Sequence, residues 1–252
     1  MIDLSGKTIL VTGGSRGIGA AIVRAVGGSG AAVVLHYGHN EDAARAVQDD
    51  LPVGRCHLVQ ADLAEPDSAA RIWAAATAAA GPVDALVNNA GIFEAAPLDM
   101  DIAAWRSMWR RVLQVNLISP AELCRHAIND FRGRGGGRIV NISSRAAFRG
   151  EVPEQMPYGA SKGGLVALTK TIARGYGKDG VLAFGIAPGF VATDMVSENV
   201  DAAKIAGVIA EIPLGEMADA DEIGALTAFL CSDRARHLTG ATLDVNGASY
   251  VR

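Results

Sequence analysis

Ile9-Leu10-Val11-Thr12-Gly13-Gly14-Ser15-Arg16-Gly17-Ile18-Gly19 decides the fold. Three apolar residues read as a short strand, and the glycines that end it open a helix over residues 17–29. Glycine in such a turn lets the backbone approach a pyrophosphate. The free N–H groups and dipole of the helix N-terminus favour negative charge there. The spacing is Gly-x-x-x-Gly-x-Gly, not the Gly-x-Gly-x-x-Gly of the usual dinucleotide fingerprint. Its place between a first strand and a first helix is what points to a nucleotide.

Outward from that turn the same unit recurs. Further short apolar runs stand at 32–35, 57–60, 85–87, 138–142, 181–187 and 242–245, with helical patterns at 41–50, 67–80, 102–131, 158–178 and 219–231. Strand–helix alternation predicts an α/β fold, a doubly wound parallel sheet of about seven strands with helices on both faces. Near-continuous apolar strands suit a sheet covered on both sides. No internal repeat or linker divides the chain, so residues 1–252 are expected to form a single domain. Residues 133–137, rich in glycine, read as the turn into the fifth strand.

Composition narrows the function. Twenty-three basic against 27 acidic side chains give a net charge of −4, which offers no field for nucleic acid. Cys56, Cys124 and Cys231 are odd in number and far apart, so they suggest neither a disulfide framework nor a metal site. Buried reduced thiols of a cytoplasmic protein are the expectation. The N-terminus lacks the pattern of a signal peptide, and no apolar run reaches membrane-spanning length. No membrane partner and no metal are expected.

Tyr158 and Lys162 stand four residues apart in Tyr158-Gly159-Ala160-Ser161-Lys162. On a helix they share a face. A phenol has a pKa of about 10, and a neighbouring ammonium favours its phenolate, which suits it to proton transfer near neutrality. By itself the spacing is common, and an exposed helical pair would be the default.

Other motifs keep the pair company. Thr12, Gly13, Gly17 and Gly19 match Thr-Gly-x-x-x-Gly-x-Gly; Asn88-Asn89-Ala90-Gly91 follows the fourth strand; Asn116 lies in Gln114-Val115-Asn116-Leu117; Ser143-Ser144 ends the fifth strand; Pro188-Gly189 ends the sixth. Leu238-Thr239-Gly240 and Asp244-Val245-Asn246-Gly247 follow near the C-terminus. In this order, across the whole chain, they resemble the short-chain dehydrogenase/reductase family. The resemblance implies a Rossmann-type domain and interconversion of a carbonyl and a secondary alcohol by hydride transfer. It implies Tyr158 as proton donor, Lys162 as its electrostatic partner and ribose ligand, Ser144 as donor to the substrate oxygen, and Asn116 as holder of a water leading to Lys162. Ser143 competes for the serine role; Ser144 is preferred for its place after the strand.

The same resemblance implies cofactor contacts from Gly13, Ser15, Arg16, Gly17, Ile18, Gly19, His36, Asp62, Leu63, Asn89, Ala90, Gly91, Tyr158, Lys162, Pro188, Gly189, Val191 and Thr193. No acid stands between Leu35 and Asn40 to bond ribose hydroxyls, and Arg16 lies in the glycine turn. These favour NADP(H), with NAD(H) as the alternative. The motifs are nearest to those of 3-oxoacyl-[acyl-carrier-protein] reductases. That implies an acyl-carrier-bound substrate, with Arg132, Arg134 and Arg174 as basic docking residues, or another small ketone, sugar or secondary alcohol. Residues 190–215 should cover the substrate, and Phe93 and Phe148 could line its pocket or belong to the core. A homotetramer packed through the helices of Asn116 and Tyr158 is the expected assembly.

Overall fold

β1 (Thr8–Thr12) is buried at every position, as its all-apolar interior demands of a strand covered on both faces. In the computed structural model, which describes residues 2–192 and 202–252, β1 pairs in parallel with β2 (Ala32–Tyr37) on one side and β4 (Ala85–Asn88) on the other. β3 (Cys56–Gln60) closes one edge. β5 (Gly137–Ile142), β6 (Val181–Pro188) and β9 (Thr242–Val245) extend the other. The order is β3-β2-β1-β4-β5-β6-β9, all parallel.

Alternation along β1 feeds two cores. Ile9 and Val11 join one with α1 (Gly17–Gly28), α2 (Glu41–Asp49) and α9 (Ala220–Cys231). Leu10 joins the other with α3 (Ser68–Ala80), α5 (Ser119–Gly133) and α7 (Met156–Tyr176). The chain runs from β1 outward to β3, then returns to β4 beside β1. The connections after β1 and β4 therefore part in opposite directions and leave a crevice at their C-terminal ends, where open α/β sheets take ligands.

The expected helix over 102–131 is two helices. α4 (Ile102–Leu113) passes through a π-helical turn, Gln114–Ile118, into α5. Pro120 explains the break: it has no N–H for the carbonyl four residues back, that of Asn116, and its ring crowds that carbonyl. The Ser119 N–H reaches instead to the Gln114 carbonyl, five residues back. Short elements absent from the expectation are α6 (Ala146–Arg149), α8 (Ala202–Ala210), and a parallel pair, β7 (Val191–Ala192) with β8 (Ala218–Asp219). Cys56, Cys124 and Cys231 are buried and free. None of the described helices is long and apolar enough to cross a membrane.

Candidate active site

One groove, of about 540 Å³, runs across the C-terminal ends of the strands and holds both halves of the sequence signal. At one end lie Gly13, Ser15, Arg16, Gly17, Ile18 and Gly19; at the other Ser144, Tyr158 and Lys162. Between them are Asn89, Ala90, Gly91, Pro188 and Gly189.

The glycine turn is shaped by close approach. A Cβ at Gly19 would sit 2.0 Å from the Gly13 carbonyl oxygen, and one at Gly13, where φ is +65°, would sit 2.9 Å from Ala90 Cα. The Asn89 side-chain amide donates to the carbonyls of Thr12 (2.9 Å) and Gly13 (3.1 Å), while Thr12 Oγ1 accepts the N–H groups of Asn89 (3.0 Å) and Ala90 (3.1 Å). The turn is thus riveted to the end of β4 across the crevice. Arg16, the N-cap of α1, makes no side-chain cap, so the first N–H groups of α1 have no partner within the helix. A turn held tight by its glycines above an uncapped helix start fits a pyrophosphate.

His36 lines the groove but is 2% exposed, and both ring nitrogens are occupied. Gly13 N–H donates to Nδ1 at 3.2 Å, and Nε2 is 3.0 Å from the Ala61 carbonyl. Burial pulls its pKa down to about 4. Gly38, His39 and Asn40, which the sequence reading did not single out, line the groove beside it. Asn40 caps α2 through the Ala43 N–H (3.0 Å), and His39 Nε2 lies 3.7 Å from Asp62. Asp62 and Leu63 are on the same wall.

The catalytic end is built from β5, α7 and the π-turn. Ser143 and Ser144 follow β5, and their hydroxyls part company. Ser143 donates to the Lys162 carbonyl at 3.0 Å, which spends it on holding α7. Ser144 accepts the Ala146 N–H (3.1 Å) and acts on the Tyr158 phenol. Burial pushes the Tyr158 pKa up, with Ser144 opposing and the Glu151 charge adding to the rise. Burial therefore outweighs the lowering by Lys162 that the sequence led us to expect, and the phenol stays protonated. Lys162 Nζ lies 5.7 Å from the Tyr158 ring centroid and donates to the Ile142 carbonyl at 2.9 Å. Lys162 is itself 4% exposed, and burial lowers its pKa to about 8.

Asn116 is fully buried in the π-turn. Its side chain accepts the Ile92 N–H (2.8 Å) and donates to the Ile92 carbonyl (2.9 Å) and to Ser161 Oγ (3.2 Å). It thereby pins the segment after Gly91 against α7. A Cβ on Gly91 would come within 3.3 Å of Asn116 Oδ1 and 3.4 Å of Lys162 Nζ, so these two groups flank one small space. Behind them Asn88 donates to Asn141 (2.8 Å) and Asn141 to Thr169 (2.8 Å), a buried ladder from β4 through β5 to α7.

Other expectations fall differently. Phe93 stacks edge-on against Tyr158 at 4.8 Å and lines the groove; Phe148 does not, because Arg252 covers its ring at 3.7 Å. Val191 packs in the first core and is not among the groove's walls. Thr193, with Met195 and Val196 of the expected cover, lies outside the described residues. Arg132 and Arg134 precede β5, a six-residue strand whose other end carries Ser144, so they stand roughly 20 Å from the chemistry. Both are paired, Arg132 with Asp179 (2.7 Å) and Arg134 with Asp130 (2.7 Å) and Asp84 (3.4 Å). Arg174 is exposed. Arg111, unnoticed in the sequence, lines the groove and pairs with Glu94 at 3.2 Å.

A family model described as enoyl-(acyl carrier protein) reductase matches residues 13–248. Among curated proteins, 3beta-hydroxysteroid dehydrogenase 1 of Eggerthella lenta is 38% identical over 249 residues, covering 97% of this chain and 94% of its own. Acetoacetyl-CoA reductase of Rhizobium meliloti is 36% identical over 97% and 98% of the two chains. The 3-oxoacyl-[acyl-carrier-protein] reductase FabG of Escherichia coli K12 is 35% identical over 99% and 100%. A crystal structure described as a short-chain alcohol dehydrogenase from Sinorhizobium meliloti 1021 superposes with a TM-score of 0.89 at 30% identity over 98% of both chains.

Proposed function

The chain belongs to the short-chain dehydrogenase/reductase family, whose members are oxidoreductases of CH–OH and C=O groups using NAD(H) or NADP(H), and from that premise we propose that it reduces a carbonyl with NADPH while Tyr158 supplies the proton. The observation that carries this reading is one groove with the glycine turn at one end and Ser144, Tyr158 and Lys162 at the other, with Asn116 buried behind it. A bound nicotinamide would supply the hydride. The residues do the rest. Ser144 donates to the substrate oxygen, a donor set before charge develops there. Tyr158, held protonated by burial, is the general acid. Lys162, still cationic at neutral pH with a pKa of about 8, stabilises the phenolate left behind. Asn116 holds the Ile92 segment and, through it, the space beside Lys162.

Arg16 supports NADP(H) over NAD(H), because it is exposed on the groove wall at the start of α1. Arg16→Ala should weaken NADPH binding about tenfold and leave NADH nearly unchanged, as expected for one lost charged hydrogen bond. Equal effects on the two cofactors would remove Arg16 from the 2′-phosphate.

The substrate we favour is a 3-oxoacyl thioester. The Ala96 N–H donates to the Glu154 carbonyl at 2.7 Å and ties the segment after Gly91 to the one before Tyr158. Phe93, Val152 and Met156, all exposed, stand on these two segments and offer an acyl chain an apolar rim. Residues 190–215 would complete its cover. Because Arg132 and Arg134 are paired and remote, the reading requires no docked carrier at that end, and a coenzyme A thioester serves as well. A panel of 3-oxoacyl thioesters, cyclic ketones and steroid alcohols with NADPH and NADH tests it. Turnover of a thioester with NADPH is expected; turnover confined to ketones or alcohols would replace the substrate. A homotetramer is the proposed assembly, to be tested by light scattering. Only Val112 of α4 is buried within the monomer, and Ile102 and Ile118 are exposed.

A further inference from the structure

We propose that His36 is a positioning residue for the cofactor: its neutral ring fixes the glycine turn and spaces the phosphate cradle from the adenine wall. The inference rests on the reading of the groove as a nicotinamide dinucleotide site, and it assigns His36 no contact with that ligand. The Ala61 carbonyl can only accept, so the Nε2 facing it at 3.0 Å carries the ring proton. Nδ1 is then the acceptor of the Gly13 N–H at 3.2 Å. The backbone carbonyl of His36 also takes the next donor, Gly14 N–H, at 2.9 Å. One residue thus absorbs the first two N–H groups of the turn and points them away from the groove. The Asn89 amide holds the Gly13 carbonyl from the other side. With Gly13 clamped at both ends in its positive-φ conformation, the start of α1 is left to meet the pyrophosphate.

The second half of the clamp lies at Ala61, which immediately precedes Asp62 and Leu63 on the groove wall. Ala61 N–H is itself bonded to the Tyr37 carbonyl (3.1 Å). A buried imidazole therefore links the ends of β1, β2 and β3. A ring whose nitrogens both serve the backbone has none left for a 2′-phosphate. Losing it must affect NADPH and NADH alike, which separates this role from a phosphate contact.

Three variants divide the ring's functions. In His36→Asn the amide oxygen can reach the place of Nδ1; in His36→Gln the amide falls at the place of Nε2; His36→Leu keeps neither. Dissociation constants for NADPH and NADH are read by fluorescence without substrate, and exchange of the Gly13 amide by NMR without cofactor. H36L and H36Q should weaken both cofactors about tenfold, the effect of leaving one buried donor unpaired, and speed Gly13 exchange. H36N, which keeps the Gly13 bond and loses the one to Ala61, should hold Gly13 exchange near the wild-type rate and weaken both cofactors less than H36L or H36Q. Should H36L not fold, H36Q and the wild-type ring nitrogen shifts, which must report a proton on Nε2, carry the test. Native affinity in H36L or H36Q, a loss confined to NADPH, or a proton on Nδ1 overturns the proposal. A wild-type protein that binds neither cofactor overturns the nicotinamide reading itself.

Discussion

Replacing Lys162 by Met should make the protein more stable while removing its activity. The Lys162 ammonium is buried, with the Ile142 carbonyl at 2.9 Å as its hydrogen-bond partner among the described residues. Burial drops its pKa from 10.5 to about 8. Each pKa unit is worth about 1.4 kcal/mol, so the folded state gives up about 3 kcal/mol at pH 7 to keep this charge inside. The sign follows from proton counts. The unfolded chain binds the proton more tightly, so the stability present above pH 10.5 is lost as pH falls toward 8 and stays lost below it. Methionine removes the charge, keeps most of the volume, and forfeits one hydrogen bond of about 1 kcal/mol. A net gain of about 2 kcal/mol would raise the melting temperature by roughly 4–8 °C in a chain of this size. Thermal melts of unliganded protein at pH 7 and 9.5 provide the assay. At the higher pH the wild type sheds part of its penalty, and the gap should narrow by more than half. A K162M protein less stable than wild type at pH 7, or a gap independent of pH, would refute the argument from burial.

Gly19→Ala puts a carbon 2.0 Å from the Gly13 oxygen; cofactor binding, followed by titration calorimetry, should fall beyond detection while the fold survives in circular dichroism. His36, buried with a pKa of about 4 against an ordinary 6.5, favours the unfolded state on acidification. Roughly 3 kcal/mol of stability should disappear between pH 6.5 and 4 in urea titrations, and H36N should lose less over that window.

The first strand, its glycine turn and the Tyr–Lys helix were legible because their signals are local: an apolar run, small residues, a four-residue spacing. Pro120 was visible too. Yet the backbone stays helical through the π-turn with no loop between the two helices, so 102–131 read as one helix. The serine pair shows a different limit. Along extended chain, neighbours point to opposite sides, which sends Ser143 to α7 and Ser144 to Tyr158. The sequence could order the two hydroxyls but not aim them. His36 marks a third. A polar residue closing a strand reads as a ligand contact, whereas parallel pairing with Thr12 and Val59 keeps it inside the sheet. The signal for the outer wall was the Gly38-His39-Asn40 step beyond β2. Arg132 and Arg134 were placed by homologous position alone; strand length and their carboxylate partners, both three-dimensional facts, move them away from the groove.

The central claim is that Tyr158 delivers the proton. Tyr158→Phe keeps the ring against Phe93 and removes one oxygen atom. With a substrate from the panel and NADPH, kcat should fall by about 10²–10⁴-fold, the range for losing a positioned general acid, while the NADPH dissociation constant stays near that of the wild type. A variant that turns over within a few-fold of the wild-type rate would contradict the account.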